Sequence, residues 1–518
     1  MADTDPPQSD EQESDAIFAC HVCGDSFSAD GVYEHEGRII CVQCYEKSLA
    51  TPPKPAQVAP DHAASAPGGD VPAAPQAVAP APPPRLPSRQ ARPLVVRVTC
   101  PHCWNRCAPE DLLWVSKHAD LLGDAVMGAE AQARFLPSRF TAEGRALDAR
   151  GMACDVLACP QCHLSIPRPL VEEEPLFVSV IGGPSSGKSY LLTAMTWQLR
   201  RLLPGGFAVA FNDADTTTNR ALNEYEETLF LHGDGQSLVA IRKTELQGEL
   251  YDQVRWGTQI VTLPRPFIFT LRPTERHPNA AAAERVSRVV CLYDNAGEHF
   301  QPGMDLPNAP VTQHLGRSRA LMFLYDPTQD PRLREVCRKF SNDPQLSGTM
   351  RTHRQEILLT EAALRIRRYA GLSANQKYER PLVVIVPKSD VWSPLLDLDV
   401  ASEPVVDNYL AGGTLAAVDL PRVDAVSAKV RAMLLTHAPE VVGAAEDFSQ
   451  RVVYVPVSAL GRAPEVQPGT NLLGVRPRDI RPHWVTVPLL YMLARWSTGL
   501  IGGVPRDKSA RAGEGGRP

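Results

Sequence analysis

From residue 174 onward the chain repeats one pattern: a short apolar run that stops abruptly at glycine or a polar group. Leu176 to Ile181 gives way to Gly182, VSRVVCLY ends at Asp294, RALMFLY at Asp326, PLVVIVP at Lys388 and RVVYVPV at Ser458. Near-continuous runs of this length predict strands covered on both faces. Tyr190 to Leu203 carries apolar residues at three- and four-residue spacing and predicts a helix directly after the first strand. A further strand is predicted within WGTQIVTLPRPFIFTL. Leu112, Leu113, Val115, Leu121, Leu122 and Val126 also keep helical spacing, so residues 108–150 are expected to form a helical excursion. Between 51 and 93 the pattern fails, because thirteen prolines stand among alanines, as in PQAVAPAPPPRLP. Such a segment cannot build a core and is expected to be a semi-rigid extended spacer.

Composition narrows the class. With 518 residues and 43% hydrophobic content the chain has room for about two to four domains. A formal charge of −6 gives no global pull toward nucleic acid, and Arg85, Arg89, Arg92, Arg97 and Arg106 read as the solvated flank of the spacer. No apolar run reaches the roughly 18 residues of a membrane span; VPLLYMLARWSTGLIGG is interrupted by Pro488 and Arg495. Residues 1–15 contain acids and no Lys or Arg, unlike the start of a secretion signal. The expectation is a cytoplasmic protein without a membrane partner, with residues 1–15 and 503–518 as disordered tails.

In a reducing compartment, paired C-x-x-C spacings point to metal. Cys20, Cys23, Cys41 and Cys44 form two such pairs seventeen residues apart, and four thiolates with no open position predict a structural zinc finger over residues 16–50. Its second half, GRIICVQCY, resembles a LIM-type or treble-clef module, which implies partner binding. A second quartet, Cys100 and Cys103 (CPHC) with Cys159 and Cys162 (CPQC), predicts a zinc ribbon over 94–170 whose insertion is closed at its base by metal. Cys107 and Cys154 are either alternate ligands or buried thiols; Cys291 and Cys337 read as unreactive core residues. About two Zn²⁺ per chain are expected.

The octapeptide Gly182-Gly183-Pro184-Ser185-Ser186-Gly187-Lys188-Ser189 satisfies G-x4-G-K-[ST] between a strand and a helix, the context that motif needs. Glycines let backbone N–H groups turn onto phosphates, and the helix N-terminus adds positive potential. Lys188 is expected on the β and γ phosphates, Ser189 on Mg²⁺, and Tyr190 beside them. Asp294 at a strand end is placed to hold Mg²⁺ through water, and Gly297 three residues on lets a backbone N–H meet the γ-phosphate. Lys388-x-Asp390 offers a carboxylate to the N1–H and 2-amino group of guanine, which adenine lacks. Ser458, Ala459 and Leu460 close the order of motifs.

GGPSSGKS, DNAGE, PKSD and SAL resemble the phosphate, switch II, base-specificity and base-loop motifs of Ras-like GTPases related to translation factors, over about residues 171–502. With the cysteine-rich front end and a long insertion at about 204–256, the chain looks most like the zinc-ribbon double-GTPase family of bacterial conflict systems. The resemblance implies an α/β P-loop NTPase fold with a doubly wound, mostly parallel sheet preceded by small zinc modules. It also implies GTP, Mg²⁺, and a protein partner that is itself a GTPase. It further implies a switch I threonine on Mg²⁺, for which Thr258 is the first choice and Thr262 the second. The insertion is expected to be a lid or partner surface, and the TTT run at 216–218 a loop or helix cap.

The departures bear on catalysis. Pro387 replaces the usual Asn or Thr before Lys388, and Glu298 stands where a water-positioning Gln is usual, with His299 beside it. Arg255 and Arg265 are either a cis arginine finger or solvated charge. Slow intrinsic GTP turnover is therefore expected. The alternatives are a zinc-finger adaptor with a degenerate nucleotide fold and an ATP-using signalling NTPase.

Overall fold

The computed structural model describes the backbone of residues 17–19, 26–28, 32–35 and 38–41, and residues 95–242, 248–304, 310–347, 354–396, 400–410, 413–467, 472–496 and 499–504. The chain divides into two compact units, Met1–Ser88 and Arg89–Pro518. In the first, Ile17–Ala19 pairs antiparallel with Ser26–Ser28, and Val32–His35 with Arg38–Cys41. Cys20, Cys23 and Cys44 lie outside the described residues, and Cys41 is described as backbone alone.

The second unit is built on a seven-stranded sheet. Its strands, in chain order, are β1 (Glu174–Gly182), β2 (Val209–Asp213), β3 (Phe267–Pro273), β4 (Arg288–Asp294), β5 (Ala320–Leu324), β6 (Leu382–Val386) and β7 (Val452–Pro456). Their spatial order is 2-3-4-1-5-6-7. β1 is parallel to both β4 and β5, β6 to both β5 and β7, and only β3 runs against its neighbours. Every residue of β5 and β6 is buried, as expected of strands covered on both faces. The chain leaves β1 toward β4 on one side and later returns to β5 on the other, so a crevice opens beyond the carboxyl ends of β1, β4 and β5.

The long helix α1 (Lys188–Leu202) follows β1. Gly187, at φ +90°, turns the chain into it, a conformation that glycine adopts without strain. The stretch after α1 is no separate appendage: β2 joins the main sheet by pairing with β3, and Arg220–Phe230 forms a helix. The threonines at 216–218 make the turn before it, where Thr217 N donates to Asp215 Oδ1 at 2.8 Å. A hairpin of Tyr251–Trp256 and Gln259–Pro264 completes the connection.

The segment 108–150 is not helical. It forms the strands Leu113–Val115, Leu122–Asp124, Gly128–Gln132 and Arg134–Phe135 with one short 3-10 turn at Pro109–Asp111. Leu122 is 54% exposed, so the apolar spacing never made one buried face. Positive φ at Gly123 and Gly128 suits tight hairpins instead. Among the described residues no helix is long and apolar enough to cross a membrane.

Candidate functional site

The phosphate motif occupies the β1–α1 turn. Lys188 is buried and its Nζ donates to Gly182 O at 3.0 Å and Gly183 O at 3.1 Å. Ser189 Oγ donates to Asp294 Oδ2 at 2.7 Å, so residues 105 apart in sequence bring two hard oxygens together at the start of α1. That donor set fits Mg²⁺, which prefers carboxylate and hydroxyl oxygens. The turn Gly297–Phe300 lies against the phosphate loop: a Cβ at Gly297 would stand 2.4 Å from Gly183 C and Pro184 N. Any side chain there would push the two loops apart.

A cavity of about 640 Å³ runs from this turn to the ends of β6 and β7. Its floor is residues 184–191, one side carries Ala296, Gly297 and Glu298, and the far end holds Lys388, Asp390, Ser458, Ala459 and Leu460. The size suits a bound small molecule. Ser458 Oγ donates to Asp390 Oδ1 at 2.5 Å and accepts from Gly461 N at 2.8 Å, which aims one carboxylate at the cavity's end. Lys388, in the left-handed region at φ 57°, donates to Asp326 Oδ2 at 2.6 Å, Thr328 Oγ1 at 2.9 Å and Gln345 Oε1 at 2.7 Å.

Thr258 and Thr262 do not reach this cavity. Thr258 is exposed at the tip of the hairpin, and Thr262 lies within its second strand opposite Gln253. The hairpin is held elsewhere: Val254, Val261 and Leu263 are buried with the cysteine-rich ribbon, and Arg255 N donates to Val126 O. The cavity wall beside Tyr190 is lined by Ala240, Ile241 and Arg242, with Ile241 N donating to the hydroxyl of Tyr190. Arg265 is paired with Asp252 at 3.1 Å and Arg255 is exposed; neither lines the cavity. Arg242 does line it, and sequence reasoning missed it because no motif marks it.

His299 is turned from the cavity toward the hairpin. Its Nδ1 meets Tyr251 Oη at 3.0 Å, and the same hydroxyl accepts from Ala296 N at 2.9 Å. Burial pushes the His299 imidazole down to about 4 and His314, stacked on Tyr293, to about 3. Both are held neutral, whereas an unfolded histidine protonates below about 6.5. Their contribution is therefore complete above pH 6.5 and is lost as pH falls toward 4, where unfolding takes up protons. The denaturant midpoint is expected to drop between pH 7 and 5, and His314→Gln should flatten that slope.

The second quartet converges. The four sulfurs of Cys100, Cys103, Cys159 and Cys162 lie within 4.8 Å of one another, with Cys100 to Cys162 at 3.7 Å and Cys103 to Cys159 at 3.6 Å. Sulfurs about 2.3 Å from a tetrahedral zinc stand about 3.8 Å apart, so the spacing fits. The two knuckles match bond for bond. Trp104 N donates to Cys100 O and His163 N to Cys159 O, with φ 58° at both donors. His102 N donates to Cys100 Sγ and Gln161 N to Cys159 Sγ, each at 3.4 Å. S–H bonds from the other three thiols hold Cys159 far below the ordinary thiol range, while burial pushes Cys100 up. Cys107 and Cys154 are buried outside the quartet, bonded to Val98 O and Met152 O. Cys291 and Cys337 are fully buried, and burial raises both. Elemental analysis of the full chain should find about two zinc ions, and Cys159→Ser should remove one of them.

No family model matches the sequence. The chain is 26% identical over 320 residues, 58% of its length and 72% of the other's, to SaeC of Mycolicibacterium smegmatis, a protein named for ESX-1 scaffolding and assembly. Solved structures that align with it include the GTP-bound SRb–SRX complex of the signal recognition particle receptor from Chaetomium thermophilum. That match has 15% identity over 57% of this chain and 94% of that one, at a TM-score of 0.21. Era of Aquifex aeolicus bound to GDP and AlF4⁻ aligns at 13% identity over 58% of this chain and 62% of its own, TM-score 0.20. The GTP-bound GTPase-like domain of Ski7 from S. cerevisiae aligns at 11% over 64% and 52%, TM-score 0.23.

Proposed function

We propose that the chain binds GTP with Mg²⁺ in the 640 Å³ cavity and acts as a slow GTPase switch. The observation that carries this reading is the cavity's two ends: the Ser189–Asp294 pair at the phosphate loop, and Asp390 held by Ser458 at the other. Lys188 and the backbone N–H groups of the loop bind the phosphates. Asp390 accepts the two donors on the guanine edge, which adenine does not present. Mg²⁺, when bound on Ser189 and Asp294, neutralises phosphate charge. Gly297 brings backbone, with no side chain, against the phosphate loop, so a γ-phosphate there contacts the segment 296–300 directly.

Hydrolysis is the weak step. Glu298 lines the cavity but offers a carboxylate where an amide would orient water, and that carboxylate repels the γ-phosphate unless protonated or paired. His299 is engaged with Tyr251. A protein partner, a second GTPase on the family resemblance, completes the site. The likeness to SaeC supports a role for this switch in assembling a larger apparatus.

Titration with GTP and ATP tests the assignment. Asp390→Ala should weaken GTP by about a hundredfold and spare ATP, since the two donors on the guanine edge then lose their acceptor. ATP binding as tight as GTP overturns the guanine reading. Glu298→Gln should leave GTP affinity intact and change the turnover rate; rapid turnover indifferent to Glu298 overturns the incomplete-site reading.

A further inference from the structure

The loop after β5 touches both halves of the cavity while lining neither. Asp326, Thr328 and Gln329 are all buried. Asp326 Oδ1 accepts from Thr328 N at 3.0 Å and Thr328 Oγ1 at 2.8 Å, fixing the turn from within. Gln355 bonds both backbone groups of Asp326, at 2.7 and 2.9 Å, and Arg334 Nε donates to Thr328 O at 2.8 Å. A loop bonded on all these sides is a rigid strut.

One end of the strut receives Lys388, through Asp326 Oδ2 and Thr328 Oγ1. The other end reaches the phosphate loop: Gln329 Nε2 donates to Pro184 O at 3.0 Å. Its Oε1 is buried without a hydrogen-bond partner, 3.8 Å from where a Cβ on Gly183 would stand. Pro387, next to Lys388, brings no donor of its own to this junction; its carbonyl accepts from Trp392 Nε1 at 2.8 Å. Gln329 is thus the side chain that ties the phosphate loop to the element gripping the base motif.

We propose that Gln329 is a positioning residue that couples the base end of the cavity to its phosphate end. A ligand group seating Lys388 and Asp390 steadies Asp326 and Thr328, and through Gln329 it steadies the carbonyl of Pro184. Chains of bonded groups with fixed geometry carry such coupling. The proposal rests on the GTP reading above, and the two can fail separately.

The test is a double-mutant cycle on GTP affinity, measured by calorimetry on the full chain. Gln329→Met keeps the volume and removes the donor, so the melting midpoint should stay within a few degrees while GTP affinity falls about tenfold, the scale of one half-buried hydrogen bond and the acceptor it orphans. Lys388→Ala should weaken GTP by itself, and the double variant should lose clearly less than the product of the two losses, because both act through one strut. Guanosine, which lacks phosphates, should bind Gln329→Met as it binds the wild type. Wild-type affinity in Gln329→Met, or fully multiplicative losses, overturns the coupling while leaving GTP binding standing. A wild-type chain that does not bind GTP removes both.

Discussion

Lys188→Ala is expected to abolish GTP binding at micromolar concentrations, a loss of at least about a hundredfold, with little change in melting temperature. Lys188 enters the cavity floor from the first turn of α1, and its ammonium is held against two loop carbonyls, Gly182 O and Gly183 O. A cation placed there forms charge-assisted bonds to phosphate oxygens worth about 1.5 to 3 kcal/mol each, so losing two of them exceeds the hundredfold mark. The fold should survive, because Ser186 Oγ also donates to Gly183 O at 2.8 Å and the loop keeps that anchor. Isothermal titration of both chains with Mg·GTP decides the matter. A variant that binds as well as the parent shows that the nucleotide does not use this loop.

The second large effect concerns metal. Stripping zinc from the quartet of Cys100, Cys103, Cys159 and Cys162 should lower the melting midpoint by on the order of 10 °C, since structural zinc contributes about 10 to 16 kcal/mol of apparent binding energy to small domains. The ribbon around the quartet has strands of only two to five residues. Elements that short cannot hold their geometry by backbone pairing alone. Chelation followed by calorimetry, with zinc re-addition as control, reads the effect. An unchanged midpoint in metal-free protein means that the thiols pack without an ion.

The five apolar runs were legible as strands because parallel strands buried on both faces leave an unbroken hydrophobic signature, seen in LVVIV of β6. Edge strand β2, VAFND, is half exposed and lacks that signature, so its place in the sheet was invisible. Residues 108–150 misled in the opposite sense: a spacing compatible with a helix was overridden by glycine turns and thiol closure. The positions of Lys188, Ser189, Asp294, Asp390 and Ser458 could be assigned to motifs because each follows a strand end. Thr258 had only its order in the chain behind it, and order says nothing about which way a hairpin leans. Gln329 belongs to no motif and emerges only when the loop after β5 is seen against Pro184.

One contact bears on where this chain can be cut. Tyr293 immediately precedes Asp294, and its hydroxyl donates to Pro101 O at 2.6 Å inside the first thiol knuckle while accepting from Trp104 Nε1 at 3.2 Å. Val289, Cys291 and Tyr293 of β4 are buried in one apolar cluster with Cys100, Trp104, Leu164 and Ile166. The boundary expected near residue 170, between the cysteine ribbon and the phosphate motif, therefore runs through the middle of a shared interior. A fragment begun there would present that strip of β4 to water beside Asp294, the acid proposed to hold Mg²⁺. Grafting, fragment design or exchange between related chains must carry the segment from Val95 onward as one inheritable block, so the cysteines and the phosphate loop can be expected to travel together.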